Sequence, residues 1–182
     1  MLSGIGCCVS RSIESRVMKS FASSLADWNL DRDFHYRNSD RTPPNGVRAC
    51  VSLANPSLLA ACLFRLTAST SGLAHSFCRW LCLSVFASDI STGAVFEGAV
   101  EFPHPTGIVI GRGARVGSNV RIFQNVTIGS SRKGEYPAVG NGVTLYSGAV
   151  VAGDLVIGPG AVIGANCVVT RSVSGSDVIR SP

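Results

Sequence analysis

The sequence is poor in charge and contains no long apolar run. Only 15% of its 182 residues are charged while 46% are hydrophobic, a balance that excludes a disordered chain. The net charge of +5 comes from scattered basic residues, so an anionic ligand is compatible with it but a nucleic-acid-binding surface is not expected. No stretch of about 20 apolar residues exists, and the segment 77–87 is too short to span a bilayer and contains Arg79. We therefore expect one compact domain, alone or with a smaller appendage, and no membrane span.

Signals for disulfides and for secretion are also missing. The seven cysteines form no CxxC pair and their number is odd, which favours small buried thiols in a reducing cytoplasm. The first residues lack a basic region followed by an apolar region, so they make a poor signal peptide. We expect residues 1–17 to be a disordered extension, with Met18 as a candidate start because an organised pattern begins only after it.

Residues 18–88 are predicted to form a small α-helical segment. The stretch "NPSLLAACLFRL" (55–66) predicts a helix with Pro56 in its first turn. The stretch "GLAHSFCRWLCLSVF" (72–86) predicts a second helix. Its expected buried face comprises Leu73, Phe77, Trp80, Leu81 and Val85.

From residue 90 onward a bulky apolar residue recurs every six positions. A period of six fits neither an α-helix nor an ordinary strand pair, but it fits a triangular coil in which each hexad forms one flat side. The large residue points inward, a small residue fills the corner and glycine permits the turn. Three sides need about 18 residues, so the hexads predict about four coils stacked about 4.8 Å apart. The thirteen hexad residues are Ile90, Phe96, Phe102, Ile110, Val116, Ile122, Ile128, Val139, Leu145, Val151, Ile157, Ile163 and Val169.

Two insertions interrupt the repeat and mark a candidate site. Two extra residues lie between Phe102 and Ile110, and five extra residues lie between Ile128 and Val139. The first insertion adjoins His104, the only histidine inside the repeat. Solenoids place such insertions on a surface that is often the binding face, so we expect the site there. The second insertion is a polar loop with Arg132, Lys133, Glu135 and Tyr136.

The segment "SDISTGAVFEGAVEFPHPTGIVIG", followed by "VRIFQNVTIGS" and "VIGANCVVT", resembles the hexapeptide-repeat acyltransferases and, more narrowly, the serine O-acetyltransferases. The resemblance covers roughly residues 50–175 and includes the helical stretch before the coils. It implies a left-handed parallel β-helix over residues 89–175, preceded by the α-helical segment. Residues 176–182 would then be a short C-terminal tail.

The resemblance assigns catalysis to His104 and Asp89. A histidine in the family's His-x-Thr-Gly motif acts as general base on the acceptor hydroxyl, which attacks the thioester of acetyl-CoA, and His104 stands at that position. Asp89 lies fifteen residues earlier, at the family's spacing for the aspartate that pairs with this histidine. A carboxylate fixes the imidazole tautomer and stabilises the imidazolium that forms. The alternatives are a turn histidine that caps backbone carbonyls and a solvated aspartate at the helix-to-coil junction.

The expected substrate-binding residues depart from the serine enzymes. Pro103 stands where those enzymes carry an aspartate that helps hold the amino group. Glu135 and Tyr136 precede Pro137, at the two positions where the serine enzymes carry Arg-His. Glu135 would repel a carboxylate, whereas Tyr136 could stack on a sugar ring, donate a hydrogen bond or simply pack on the coil. The acceptor hydroxyl could therefore belong to serine, to a sugar or polysaccharide, or to a specialised metabolite.

Acetyl-CoA is the co-substrate that the resemblance implies, without a metal. In the family it lies in a groove between neighbouring subunits and is held largely by backbone groups, which small residues allow it to approach. Tyr146 is unusual at a position where the repeat prefers a small residue. The candidate cofactor-binding residues are Gly129, Ser147, Gly148, Ala149, Gly164 and Ala165.

The resemblance also implies a cytoplasmic homotrimer, and two trimers could pair through the helical segment. Two other functions compete with acetyl transfer. A zinc-dependent β-helix enzyme needs three imidazole ligands, but the coils contain one histidine. A catalytically silent β-helix scaffold remains as the alternative, since the rebuilt substrate clamp is compatible with lost activity.

Overall fold

A computed structural model describes residues 26–39, 42, 54–131 and 134–181. The expectation for residues 1–17 lies outside the described residues, as do Arg132 and Lys133. None of the helices in the described ranges is long and apolar enough to cross a membrane. Helix α1 covers residues 26–38, α2 covers Pro56–Ser69 and α3 covers Gly72–Phe86.

Fourteen short strands follow the helices in the described part of the chain. Most have only two residues, as expected if each is one flat side of a coil. The strands are β1 (Asp89–Ile90), β2 (Val95–Phe96), β3 (Val100–Glu101), β4 (Val109–Ile110), β5 (Arg115–Val116), β6 (Val120–Ile122), β7 (Thr127–Gly129), β8 (Ala138–Val139), β9 (Thr144–Leu145), β10 (Val150–Ala152), β11 (Val156–Ile157), β12 (Val162–Ile163), β13 (Val168–Val169) and β14 (Val178–Ile179).

The strands form three parallel sheets, one for each side of a triangular coil. We name them sheet A (β1-β4-β7-β10-β13), sheet B (β2-β5-β8-β11) and sheet C (β3-β6-β9-β12-β14). Through β13, each strand pairs with the third strand after it, so three sides close one coil. The predicted parallel β-helix of about four coils, preceded by helices, is confirmed. The pairing of β14 with β12 carries sheet C beyond residue 175.

The strand register locates both insertions where the hexad spacing placed them. Ile110 pairs with Ile128, eighteen residues later, in a coil without an insertion. Asp89 pairs with Val109, twenty residues later, because the first coil holds two extra residues. Ile128 pairs with Val151, twenty-three residues later, because that coil holds five. The extra residues therefore bulge at corners and leave the stacking intact.

The hexad residues form the core of the β-helix. Twelve of the thirteen are buried, and each fully buried branched side chain contributes about 1.5–3 kcal/mol relative to exposure. Phe96 is the exception and is half-buried, with the guanidinium of Arg65 5.4 Å from its ring centroid. Left-handed backbone at corner residues such as Asn125 (φ 58°) and Gly148 (φ 72°) turns the chain from one sheet to the next.

Helix α2 begins as the sequence predicts, and its inner side faces the core. The side chain of Asn55 caps the helix by accepting a hydrogen bond from the Ser57 backbone nitrogen at 2.9 Å, and Pro56 occupies the first turn. Leu58 and Phe64 are fully buried, and Phe64 packs edge-on against Phe102 of the first coil. The helices thus close the first end of the β-helix.

The buried face expected for α3 is wrong. Leu73 is 91% exposed and Trp80 is 59% exposed, and Phe77 and Val85 are exposed as well. The helix buries Cys82 and Phe86 instead. Because α3 is apolar on more than one side, its sequence pattern fits several faces, and contact with α2 and β1 selects a different one.

A buried ion pair fastens α1 and α2 to the first coil. Arg65 donates through Nε and Nη2 to the two carboxylate oxygens of Asp31, each at 2.6 Å. Asp31 also accepts from the Val100 backbone nitrogen at 2.7 Å, and Arg65 donates to the Gly98 carbonyl oxygen at 2.6 Å. The two side chains are 1% and 5% exposed, so each depends on its partner for solvation.

Replacing Asp31 with Ala should lower the free energy of unfolding by about 3 kcal/mol, because it removes both short hydrogen bonds to the buried Arg65 charge and leaves it only a longer ion pair, 3.6 Å, with the exposed Asp27. Urea unfolding followed by circular dichroism measures the loss. The control is Glu97→Ala, which removes an exposed ion pair with Arg115 and should cost less than about 1 kcal/mol. Equal losses in the two variants would contradict the role given to the buried pair.

Candidate active site

His104 lies at the corner between sheets C and A in the first coil, inside the two-residue bulge. Its carbonyl oxygen accepts from the Thr106 backbone nitrogen at 2.8 Å, which makes a tight turn. The neighbouring carbonyls are anchored as well, since Pro103 accepts from Ser57 Oγ of α2 at 3.2 Å and Pro105 accepts from Ser88 Oγ, between α3 and β1, at 3.3 Å. The imidazole is exposed, and it makes no hydrogen bond within the described chain. The turn-histidine alternative requires the imidazole to cap a backbone carbonyl, and no such hydrogen bond is present in the described chain.

Aromatic rings continue from His104 along the same corner. The imidazole centroid lies 6.2 Å from that of Phe123 in the second coil. Phe123 stacks on Tyr146 of the third coil with centroids 5.1 Å apart and planes 20° apart. In the fourth coil the corresponding residue is Gly164, so the aromatic column stops there. Tyr146, the residue unusual for its place in the repeat, therefore packs on Phe123 and leaves its outer part exposed.

Asp89 opens β1 and is held by an arginine that the sequence analysis did not assign to the site. Arg79 of α3 donates through Nε and Nη2 to the two oxygens of Asp89, each at 2.6 Å. These hydrogen bonds, with the charge of Arg79, hold the pKa of Asp89 below its usual value despite partial burial. No hydrogen bond joins Asp89 to His104 within the described ranges. The signal for Arg79 was its presence as a lone charge within an apolar helix.

A second polar group near His104 was also missed by sequence reasoning. Glu101 is only 5% exposed, yet its carboxylate lies 3.0 Å from His35 Nδ1 and accepts from Asn38 Nδ2 at 2.6 Å and from Arg121 Nε at 2.9 Å. Burial raises the pKa of Glu101, but the hydrogen bonds from His35 and Asn38 and the charge of Arg121 outweigh it and leave the pKa below its usual value. The group ties α1 to the coils beside the site.

Two of the expected substrate-binding residues lie away from His104 in a single chain. Glu135 and Tyr136 belong to the insertion between β7 and β8, at the corner between sheets A and B. The ring of Tyr136 covers two glycines, since a Cβ added at Gly113 would lie 2.4 Å from its Cδ2 atom. Pro103 alone adjoins His104. Within one chain Tyr136 therefore packs on the coil, as one of the alternatives for this residue expects.

Most of the expected cofactor-binding residues share the corner of His104. Ser147, Gly148 and Ala149 form this corner in the third coil, and Gly164 and Ala165 form it in the fourth. Gly148 also has a packing reason to be glycine, because a Cβ there would lie 2.1 Å from Asn166 Oδ1. Gly129 lies apart from this column, at the end of β7 in sheet A.

Comparisons with known proteins agree with the fold and with the resemblance. A family model described as "Bacterial transferase hexapeptide (six repeats)" matches residues 137–171. The serine acetyltransferase of Mycobacterium tuberculosis is 43% identical over 94 residues, which are 50% of this chain and 41% of that protein. The serine acetyltransferase of Staphylococcus xylosus is 39% identical over 98 residues, which are 52% of this chain and 45% of that protein.

Solved structures extend the likeness to nearly the whole chain. The serine acetyltransferase of Neisseria gonorrhoeae, solved in complex with serine, superposes with a TM-score of 0.79 over 94% of this chain and 72% of that chain, at 26% identity. Native serine acetyltransferase 1 of Entamoeba histolytica gives a TM-score of 0.80 at 23% identity and supports the fold alone, over 94% of this chain and 68% of that one. The expected resemblance to hexapeptide-repeat transferases of the serine acetyltransferase type is confirmed. The chain spans less than half the length of these two curated relatives.

Replacing Arg79 with Gln should raise the pKa of Asp89, because the substitution removes two hydrogen bonds and a positive charge. A depressed carboxyl pKa stabilises the fold above the group's usual pKa, and the stabilisation is lost as pH falls through the lowered value. A ¹³C NMR titration of the Asp89 carboxyl carbon checks this, with Arg115→Gln as the control that should leave the Asp89 titration unchanged. An ordinary pKa for Asp89 in the unmodified protein would contradict the ion pair.

Proposed function

We propose that the chain is an acetyl-CoA-dependent O-acetyltransferase of the serine acetyltransferase type, with His104 as general base. The observation that carries the proposal is the exposed imidazole of His104, free of hydrogen bonds within the described chain, on the corner that also holds Ser147, Gly148, Ala149, Gly164 and Ala165. Extended along that corner, acetyl-CoA would bring its thioester to His104. The likeness to serine acetyltransferases supports the reaction class.

The proposed chemistry is a direct transfer in a complex of both substrates. His104 in its neutral form takes the proton of the acceptor hydroxyl as the oxygen attacks the acetyl carbon. A backbone amide stabilises the oxyanion of the tetrahedral intermediate. The thioester bond then breaks, and the imidazolium returns its proton to the departing thiolate. Acetyl-CoA supplies the activated acetyl group, and no metal is needed.

Asp89 is proposed to orient His104 and to stabilise its protonated form. Hydrogen bonds join the segments that carry the two residues. The Asp89 backbone nitrogen donates to the Ile108 carbonyl oxygen at 2.8 Å, and Ser88 Oγ donates to the carbonyl oxygen of Pro105, the residue after His104. Arg79 keeps the carboxylate ionised, as this role requires. Contact with His104 would need Asp89 to exchange part of its bond with Arg79 when the substrates bind.

A homotrimer is proposed because the candidate substrate residues lie at different corners of one chain. His104 and Pro103 lie between sheets C and A, whereas Glu135 and Tyr136 lie between sheets A and B. Residues at different corners can line one site only if neighbouring subunits bring the two corners together. The unpaired thiols Cys62, Cys78, Cys82 and Cys167 support a reducing, cytoplasmic location.

Serine is the first acceptor to test, because a similar enzyme has been solved in complex with serine. A hydroxyl of a sugar or of a specialised metabolite is the second candidate, favoured by Pro103 and Glu135 where serine enzymes carry aspartate and arginine. A thiol-release assay with acetyl-CoA over serine, homoserine and several sugars separates these acceptors. Absence of turnover on all of them would favour a silent scaffold.

His104→Ala should lower kcat/KM by about 100-fold or more, since a general base typically contributes a factor of this size. The measurement is acetyl-CoA-dependent thiol release on the best acceptor of the panel. Arg115→Gln, on sheet B, is the control and should keep the unmodified rate. A rate near that of the unmodified protein for His104→Ala would reject the assignment of the base.

Light scattering coupled to size exclusion should give three times the mass of a single chain. The physical reason is that the candidate site is split between corners that only neighbouring subunits can bring together. A stable monomer that still turns over acetyl-CoA would reject the shared site.

A further inference from the structure

The guanidinium of Arg121 lies over the ring of Phe123, the same aromatic residue that neighbours the proposed base. Arg121 lies on β6 directly below Glu101 of β3, and its Cζ atom is 5.6 Å from the ring centroid of Phe123. The imidazole of His104 lies 6.2 Å from the centroid of the same ring. The two side chains therefore border one aromatic residue, as the two ends of a small acceptor site would.

Glu101 orients this guanidinium. Arg121 uses only Nε to bind Glu101 Oε2, at 2.9 Å, while Asn38 donates to the same oxygen and His35 contacts Oε1. Glu101 is buried, so its position is fixed by these three contacts. An arginine anchored through Nε presents its two terminal nitrogens in a fixed direction, which reduces the entropy lost when they bind a ligand.

The terminal nitrogens of Arg121 have no hydrogen-bond partner within the described ranges, although the guanidinium lies over the ring of Phe123. The side chain is 38% exposed, and its only hydrogen bond there is the one to Glu101. Arg79, by contrast, uses Nε and Nη2 to bind Asp89. Two parallel N–H donors in a fixed fork match the geometry of a carboxylate, which arginine binds with two charge-assisted hydrogen bonds.

Arg121 also offers a positive charge to a substrate carboxylate that Glu135 would repel. Glu135 and Tyr136 stand where similar enzymes carry the Arg-His pair, so that loop offers a carboxylate no cation at those two positions. Arg121, on the second coil and near the Phe123 ring that His104 also neighbours, would supply one from another direction. The structure thus provides a positive group for an acceptor's anionic end without the family's usual pair.

We infer that Arg121 is the acceptor-binding residue that holds the carboxylate of a small hydroxy acid or amino acid, whose hydroxyl then faces His104. The inference rests on the proposed function for the reaction at that hydroxyl, but carboxylate binding can be tested without catalysis. It requires an acceptor that carries a carboxylate, which a neutral sugar lacks. Glu101, His35 and Asn38 act through Arg121 as positioning residues.

The test compares binding of L-serine and L-serinamide, which share the hydroxyl and the amino group and differ in the negative charge. Isothermal titration of the full chain should give at least tenfold tighter binding of serine. Arg121→Met should bring the ratio of the two dissociation constants close to one, and Arg121→Lys should keep part of it because a point charge remains without the fork. Glu101→Gln should reduce the ratio by loosening Arg121.

The matched control is Arg115→Met, which removes an arginine from an exposed pair with Glu97 on sheet B and should keep the ratio of the unmodified protein. Circular dichroism and an unchanged affinity for acetyl-CoA verify that the Arg121 variants are folded. Equal binding of serine and serinamide by the unmodified protein, no binding of either, or an Arg121→Met variant that keeps the preference would each overturn the inference.

The same experiments separate this inference from the proposed function. Carboxylate-dependent binding that is lost in Arg121→Met, without thiol release on any acceptor, would support the anion site and reject the acetyltransferase. Thiol release with equal kcat/KM for serine and serinamide would support the acetyltransferase and reject the anion site.

Discussion

Stacking in register is the constraint on which the rest of the structure depends. Each coil can pair its backbone with the next only if every side has the same length, so a bulky residue must return to the interior every sixth position. Twelve buried hexad residues satisfy this condition, and the extra residues of both insertions are expelled at corners. As a result, side chains at equivalent positions form columns parallel to the solenoid axis.

The candidate site is one of these columns with a bulge at its first coil. The bulge exposes His104, the aromatic rings of Phe123 and Tyr146 continue below it, and small residues occupy the last two coils. A long, thin cofactor fits such a linear surface better than it fits a deep pocket. The second insertion lies at another corner, so the proposed site is complete only in the proposed assembly of neighbouring subunits.

The helices supply partners for the charged side chains that the coils carry around His104. Arg79 of α3 fixes the ionised state of Asp89, and residues of α1 surround Glu101, which in turn directs Arg121. The buried pair of Arg65 and Asp31 holds α1 and α2 in the positions that these contacts need. The helical segment therefore does more than close the end of the solenoid, because it sets the electrostatics of the proposed active site.

The sequence alone determined what depends on short-range repetition. The hexad period determined the coil, its spacing located both insertions, and the motif around His104 indicated the corner that carries the candidate base. Only the tertiary structure decided which side of α3 is buried, since a helix apolar on several sides fits more than one packing. It likewise decided that Asp89 meets Arg79, that Tyr136 covers glycines away from His104, and that Glu101 joins Arg121 to α1. In a repeat, the environment of each residue follows from its place in the period, so the sequence alone predicts it. These contacts instead join side chains from different coils or from a helix and a coil, and no period relates them.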